Sequence, residues 1–377
     1  MDFDLSWVLW GLPLAFILGW LASRLDLRQL RIENRRAPKA YFRGLNFLLN
    51  EQQDQAIDAF IEAVRSDPDT SELHFALGNL FRRRGEYDRA VRVHEHLLSR
   101  GDLSREERHR AQHALALDFL KAGLLDRAEE ALRKLEGTAY EGQALLALLA
   151  IYERTRDWPN AAAITKKLEA AGQGNFSGRL AHYLCEQAVS ATPHEAERLL
   201  REAMEVAPDA ARPGIELASL QRRSGDAAAA FDTLVRLAQT VPASLPLAAR
   251  ALAEIANETH RKAEALELLR GAYDRAHSLD VLEAIVLLEP DGTAAREWYL
   301  KHLEREPSLV AASKWLATEK LEHEQFHPVV QGALDHAARP LMRYRCAACG
   351  FEAKQHFWQC PGCQAWDSYP ARRVEEL

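Results

Sequence analysis

Residues 71–100 read SELHFALGNLFRRRGEYDRAVRVHEHLLSR, and the spacing of small and large residues within them decides the fold. Leu77, Gly78, Phe81, Gly85, Ala90 and Leu97 stand one period of 34 residues after a similar set in 37–70, namely Gly44, Phe47, Ala56, Phe60, Ala63 and Pro68. After a four-residue insertion, 109–142 carries Ala116, Phe119, Gly123, Ala128 and Leu132. Weaker copies follow at 142–175 (Tyr152, Trp158, Ala161), 177–210 (Leu184, Ala196, Leu200, Ala203, Pro208) and 211–244 (Ala218, Gly225, Ala230, Leu234, Pro242). The last two, 246–278 (Ala253, Ala265, Ala272) and 276–309 (Ala295, Tyr299, Pro307), are degenerate.

This is the period of tetratricopeptide helix–turn–helix repeats. Gly or Ala where two helices cross lets their backbones approach, and a large residue one turn away fills the gap. Gly85, Gly123 and Gly225 are expected to end first helices in a left-handed conformation. Thr192-Pro193-His194-Glu195 reads as an N-cap, a first-turn proline and a reciprocal glutamate. The predicted fold class is all-α, a tetratricopeptide-repeat superhelix of about seven or eight hairpins over 37–309, with a helical extension over 310–339. Such a stack offers a concave surface fitted to a polypeptide, or else serves as support for other domains. Composition agrees: 47% hydrophobic and 27% charged residues exclude a wholly disordered chain, and 19 Gly with 15 Pro are too few for a turn-rich β-sandwich. A net charge of −7 argues against a nucleic-acid partner.

Working toward the N-terminus, Leu5–Ala22 is an uncharged run of 18 residues. As a helix it would be about 27 Å long, enough to cross a bilayer core. Trp7, Trp10 and Trp20 suit the interfaces. A signal peptide is the alternative, but Asp2 and Asp4 stand where it needs cations, and no small-x-small cleavage site follows. Residues 1–22 are therefore expected to be a single-pass anchor. The basic juxtamembrane segment 23–36, with Arg24, Arg28, Arg31, Arg35 and Arg36, puts the N-terminus outside and the bulk of the chain in the cytoplasm.

At the other end, residues 340–377 hold two C-x-x-C knuckles, Cys346/Cys349 and Cys360/Cys363. Four thiolates so spaced can close a tetrahedral site around iron or zinc, and Gly350 permits the tight turn after the first pair. A thioredoxin-type dithiol explains neither the second pair nor the missing βαβ context. So short a module cannot build its own core, so metal binding and folding should be coupled. Its Phe357, Trp358 and Trp366 are expected to dock it on the repeats.

His323-Glu324-Gln325-Phe326-His327 matches the H-E-x-x-H pattern of zinc peptidases and proposes, as an alternative, a membrane-tethered metallopeptidase. Pro328 biases His327 away from helical geometry, and no third-ligand extension follows. No catalytic residue is assigned. His94 and His96 read as solvated helix residues, Arg82-Arg83-Arg84 as a solvated repeat edge, and Cys185, in the row Leu180, Leu184, Ala188, as a small core residue.

Anchor, basic flank, repeats and terminal knuckles, in that order, resemble the lipopolysaccharide assembly protein B family of Gram-negative bacteria. Gly44-Leu45-Asn46-Phe47-Leu48-Leu49, Leu77-Gly78-Asn79-Leu80-Phe81-Arg82, Tyr344 to Phe351 and Cys360-Pro361 through Cys363 to Ala365-Trp366 are family-like. The resemblance implies a rubredoxin-like domain whose metal ligands are Cys346, Cys349, Cys360 and Cys363, holding one structural ion, iron or zinc. Gln364 stands where true rubredoxins place glycine, and the loop between knuckles is shorter, which speaks against the remaining alternative, a rubredoxin-type electron carrier. It further implies a non-enzymatic adaptor of the cell inner membrane that regulates lipopolysaccharide biosynthesis. Its implied partners are an FtsH-type membrane protease, the LpxC deacetylase, whose proteolysis it promotes, and other lipopolysaccharide assembly proteins. The degenerate last repeats offer either a cap or a surface for a homo-oligomer.

Overall fold

The structure, a computed structural model, describes residues 15–20, 39–289, 291–319 and 324–377. Residues 15–20 are helical. The rest of the expected anchor 1–22 and the whole basic segment 23–36 lie outside the described residues. Among the described residues no helix is long and apolar enough to cross a membrane.

The chain divides into two compact units, residues 1–154 and 155–377. In the first, α1 (residues 39–49) and α2 (Gln53–Ser66) are followed by α3 (Ser71–Arg83), α4 (Tyr87–Ser99), α5 (Arg105–Ala122), α6 (Leu125–Arg133) and α7 (Glu141–Thr155). Gly85 (φ +83°) and Gly123 (φ +78°) take the left-handed conformation after α3 and α5. The four inserted residues lengthen α5, whose start is held by a reciprocal cap between Ser104 and Glu107.

The repeat period has a direct physical meaning here. A Cβ on Gly44 would sit 2.9 Å from the Phe60 ring, and 34 residues on, a Cβ on Gly78 would sit 2.5 Å from the His94 ring. Both are places where only glycine admits the facing ring. His94 is therefore not the solvated residue expected: it is fully buried in the position Phe60 fills one repeat earlier. Its Nδ1 donates to Asp118 at 2.5 Å, and Arg82 donates to the other carboxylate oxygen at 2.8 Å. Arg82 is accordingly no solvated edge either. The carboxylate of Asp118 and the Nδ1 of His94 are thereby paired, whereas His94 Nε2, which faces Gly78, is buried without a hydrogen-bond partner. His96, as expected, is exposed. Another pairing follows the period: Arg89 lies 4.0 Å over Phe81 and Arg127 lies 4.2 Å over Phe119.

The second unit continues with α8 (Trp158–Ala170), α9 (Ser177–Ser190), α10 (Pro193–Val206), α11 (Ala211–Arg223), α12 (Ala227–Thr240), α13 (Leu245–Glu258), α14 (Lys262–Arg275), α15 (Leu279–Leu288), α16 (Gly292–Leu303), α17 (Leu309–Leu316) and α18 (His327–Ala338). Phe231, Leu252, Leu269, Tyr273 and Ile285 centre a continuous apolar core that reaches from α11 to α18. Thr192 caps α10 as expected, but Glu195 turns outward to pair with Arg198 at 2.6 Å and makes no reciprocal cap. Gly225 adopts φ +87° after α11. Cys185 is buried, and burial pushes its thiol far up, as befits a core residue.

Candidate metal centre

The knuckles are built on very little regular structure. Strand β1 (Tyr344–Arg345) pairs antiparallel with β2 (Glu352–Ala353), and a single bridge joins Gln359 to Trp366. Each knuckle then folds on itself in the same way. In the first, the Gly350 amide donates to Cys346 O at 2.9 Å and the Cys346 amide to Phe351 O at 2.9 Å. In the second, the Gln364 amide donates to Cys360 O at 2.8 Å and the Cys360 amide to Ala365 O at 2.9 Å. Gly350 has φ +77° and Gln364 φ +62°. The second knuckle thus takes the turn glycine would favour with a side chain in place, at a local cost of about 1 kcal/mol.

These two turns bring four sulfurs together. All four Sγ atoms lie within 4.8 Å of one another, with Cys346 to Cys363 at 3.8 Å and Cys349 to Cys360 at 3.7 Å. A tetrahedron of sulfurs about 2.3 Å from a central ion has edges of about 3.8 Å, so the residues fit a four-thiolate metal. Cys346 and Cys360 are buried while Cys349 and Cys363 face outward. Ser368, whose Oγ is 3.3 Å from Cys346 Sγ, and then the amides of Cys349 and Ala348 hold the Cys346 thiol down at about 6. At Cys360 local desolvation opposes ionisation, but the amides of Cys363 and Gly362 bring its thiol below the usual range. At Cys349 the Phe351 amide favours the thiolate, yet desolvation and the three neighbouring sulfurs outweigh it and push the thiol up to about 12. Four thiolates in this space need a cation to coexist. A metal bound there would supply a four-way cross-link and keep no open position for a substrate.

The module sits on the repeats of the second unit through the aromatic residues singled out from the sequence. The Trp366 ring stacks on His182 of α9, with centroids 4.6 Å apart, and meets Trp158 and Tyr183 edge-on at 6.1 Å each. His182 Nε2 donates to the Asp367 carboxylate at 2.8 Å, while its Nδ1 faces Arg212 Nη1 at 3.5 Å. Arg212 is itself buried between Glu186 at 2.8 Å and Glu216 at 2.6 Å. Trp358 packs against the apolar core of the unit, and Leu247 of α13 packs on the cluster of Tyr344, Cys346, Cys360 and Tyr369, which Phe357 also joins. Tyr344, lying under Arg373, and Asp280 complete the contact, the latter taking both arms of Arg373 at 2.6 and 2.8 Å. Sequence reasoning missed His182, Asp280 and Arg373, whose pairings join residues 185 and 93 positions apart.

Only part of the peptidase motif falls within the described residues. His323 and the Glu324 side chain lie outside the described residues. Glu324–Phe326 form a single 3-10 turn, and His327 opens α18, with Pro328 in its first turn. The expectation that Pro328 drives His327 out of a helix is corrected: proline suits a helix start, so the break falls before His327. His327 Nε2 is engaged with Leu316 O at 3.1 Å. Among the described residues, the four cysteines form the one His/Cys/Asp/Glu group placed to hold a metal ion.

Known proteins resemble this chain at three levels. Residues 344–369 match the family described as rubredoxin metal binding domain, and residues 73–108 match the tetratricopeptide repeat. Lipopolysaccharide assembly protein B of Escherichia coli strain K12 is 31% identical over 381 residues, 97% of this chain and 98% of that protein. The protein of the same name from Haemophilus influenzae is 27% identical over 379 residues, 95% of this chain and 96% of that one. A solved structure of Naa15/Naa10 bound to HypK-THB aligns at a TM-score of 0.46 and 14% identity, over 81% of this chain and 48% of that one.

Proposed function

The chain belongs to the lipopolysaccharide assembly protein B family, and from that premise we propose that it is a non-enzymatic adaptor of the inner membrane. In this reading it restrains lipopolysaccharide synthesis by presenting the LpxC deacetylase to an FtsH-type protease. The observation that carries it is the form of the metal centre. Four sulfurs close on one another, and the module around them is fastened to the repeats by Trp366, Asp367 and Arg373. Such a centre stiffens a binding scaffold and leaves no vacant coordination position for hydrolysis. Cys346, Cys349, Cys360 and Cys363 would hold one iron or zinc ion.

Anchoring explains how an adaptor of modest affinity can work. Tethering adaptor and protease in one bilayer raises the effective concentration of each for the other, so weak contacts with a soluble substrate add up to recruitment. The Leu5–Ala22 run and the arginines after it support that topology, with the repeats on the cytoplasmic side. The test is depletion of the protein in its native host followed by a chase of the deacetylase. Its half-life and steady level are expected to rise several-fold. An unchanged half-life in cells lacking the protein would end the proposal.

A further inference from the structure

The last residues of the chain make contacts that recruitment does not call on. After Tyr369 the backbone leaves the metal module and runs along the repeats as a strap, residues 370–377. Glu375 meets the start of α17, where its Oε1 accepts the amides of Leu309 at 2.6 Å and Val310 at 3.2 Å and its Oε2 accepts Ser308 Oγ at 2.7 Å. Glu376 meets the start of α15, where its Oε1 accepts the Leu279 amide at 2.6 Å. The first amides of a helix have no acceptor of their own, and a carboxylate there gains from both hydrogen bonding and the helix dipole. Ser278, the residue before α15, makes no side-chain cap, and Ser308 caps only Ala311 of α17. Two consecutive glutamates of the strap thus supply caps to two separate helices, α15 and α17.

The module holds that strap in register. The Val374 amide donates to Arg343 O at 2.7 Å, Arg373 donates to Met342 O at 2.7 Å, and its guanidinium lies 4.1 Å over the Tyr344 ring. Tyr344 stands two residues before Cys346. Two residues before the strap the Ala347 amide donates to Ser368 O at 2.7 Å, with Ser368 Oγ beside Cys346 Sγ. The module thus holds the strap from both sides of the knuckles, alongside the direct grip of Asp280 on Arg373, and it is too small to build a core of its own.

We propose that the metal site controls the capping of α15 and α17. While the four thiolates are held, the strap closes the N-terminal ends of these helices. When they are released, Glu375 and Glu376 come away together and open the cleft of about 750 Å³ that the strap walls with the starts of α13, α15 and α17. The coupling holds whichever partners the repeats bind.

The test is amide hydrogen exchange on the full chain, loaded with zinc and then stripped with a chelator. Exchange in residues 279–282 and 309–312 should accelerate at least tenfold on stripping. The Ala229 amide, capped within α12's own segment by Asp226 at 2.9 Å, should change by less than twofold. The double substitution Glu375→Ala and Glu376→Ala should reproduce the acceleration while the chain retains one zinc. Unchanged exchange after verified zinc loss would overturn the proposal, as would an inert double variant. Equal acceleration at Ala229 would also overturn it, because the unit would then be melting as a whole.

Discussion

Two carboxylates, the buried Asp118 in the first unit and the half-buried Asp280 in the second, receive arginines in similar ways and for different reasons. Asp118 is sealed completely and takes Arg82 and His94 from neighbouring repeat helices, so its surroundings exist once three consecutive helices have stacked. Asp280 keeps 13% of its side-chain surface exposed and takes Arg373 from the strap, 93 residues away. The first cluster belongs to the repeat architecture. The second joins a segment beyond the knuckles to a repeat helix. Similar chemistry serves interior packing in one place and the attachment of a domain in the other.

The sharpest way to test that contrast is to remove each carboxylate. Asp118→Ala leaves a buried histidine and a largely buried guanidinium without their acceptor, and should cost about 3–5 kcal/mol in urea unfolding. Asp280→Ala strands no buried histidine, removes a carboxylate that is itself 13% exposed, and leaves Arg373 its Met342 O acceptor, so it should cost about 1.5–3 kcal/mol while loosening the module, seen as faster proteolysis near residue 343. Equal costs would mean that the two clusters are equivalent and the contrast is wrong.

Acidity probes the units more gently. Burial holds His74 and His113 in the first unit, and His302 in the second, below the ordinary histidine value. The unfolded chain then takes up protons near pH 6.5 that the folded chain refuses, so stability is present above that pH and is lost as pH falls through it. The slope is bounded by about 1.4 kcal/mol per pH unit for each histidine. His302→Gln should flatten the decline between pH 7 and pH 6 in a urea titration, and an unaltered slope would discount its contribution. Smallest of all, Gln364→Gly should relieve the left-handed residue of the second knuckle and stabilise the zinc-loaded chain by about 0.5–1 kcal/mol. A loss of stability there would show that the glutamine side chain contributes more than its backbone conformation costs.

Much of this was legible in the sequence. The 34-residue period gave the helical hairpins, Gly85, Gly123 and Gly225 marked their turns, and the cysteine spacing together with three aromatic residues anticipated a docked, four-sulfur module. By residue type His94 is a polar side chain on a charged helix, but its offset of 34 from Phe60 assigns it to the interior. Arg82 needed one step more, because its acceptor lies 36 residues on and comes near only when helices stack. No local pattern announces the pairing of Asp280 with Arg373 or of the strap glutamates with Leu279 and Leu309. Such contacts depend on how a separate module is seated, which periodicity does not encode. Gln364 is intermediate: its departure from glycine was visible, and its positive φ follows once the second knuckle is seen to copy the first.

The placement of Cys185 has a practical consequence. Four thiols are gathered at the surface module and the fifth is locked inside α9, so a thiol-reactive dye distinguishes two events in one titration. Release of the ion should unmask a rapid phase of four labels per chain. The remaining label should wait until the helices themselves come apart, giving a clock for unfolding that runs separately from the clock for metal loss.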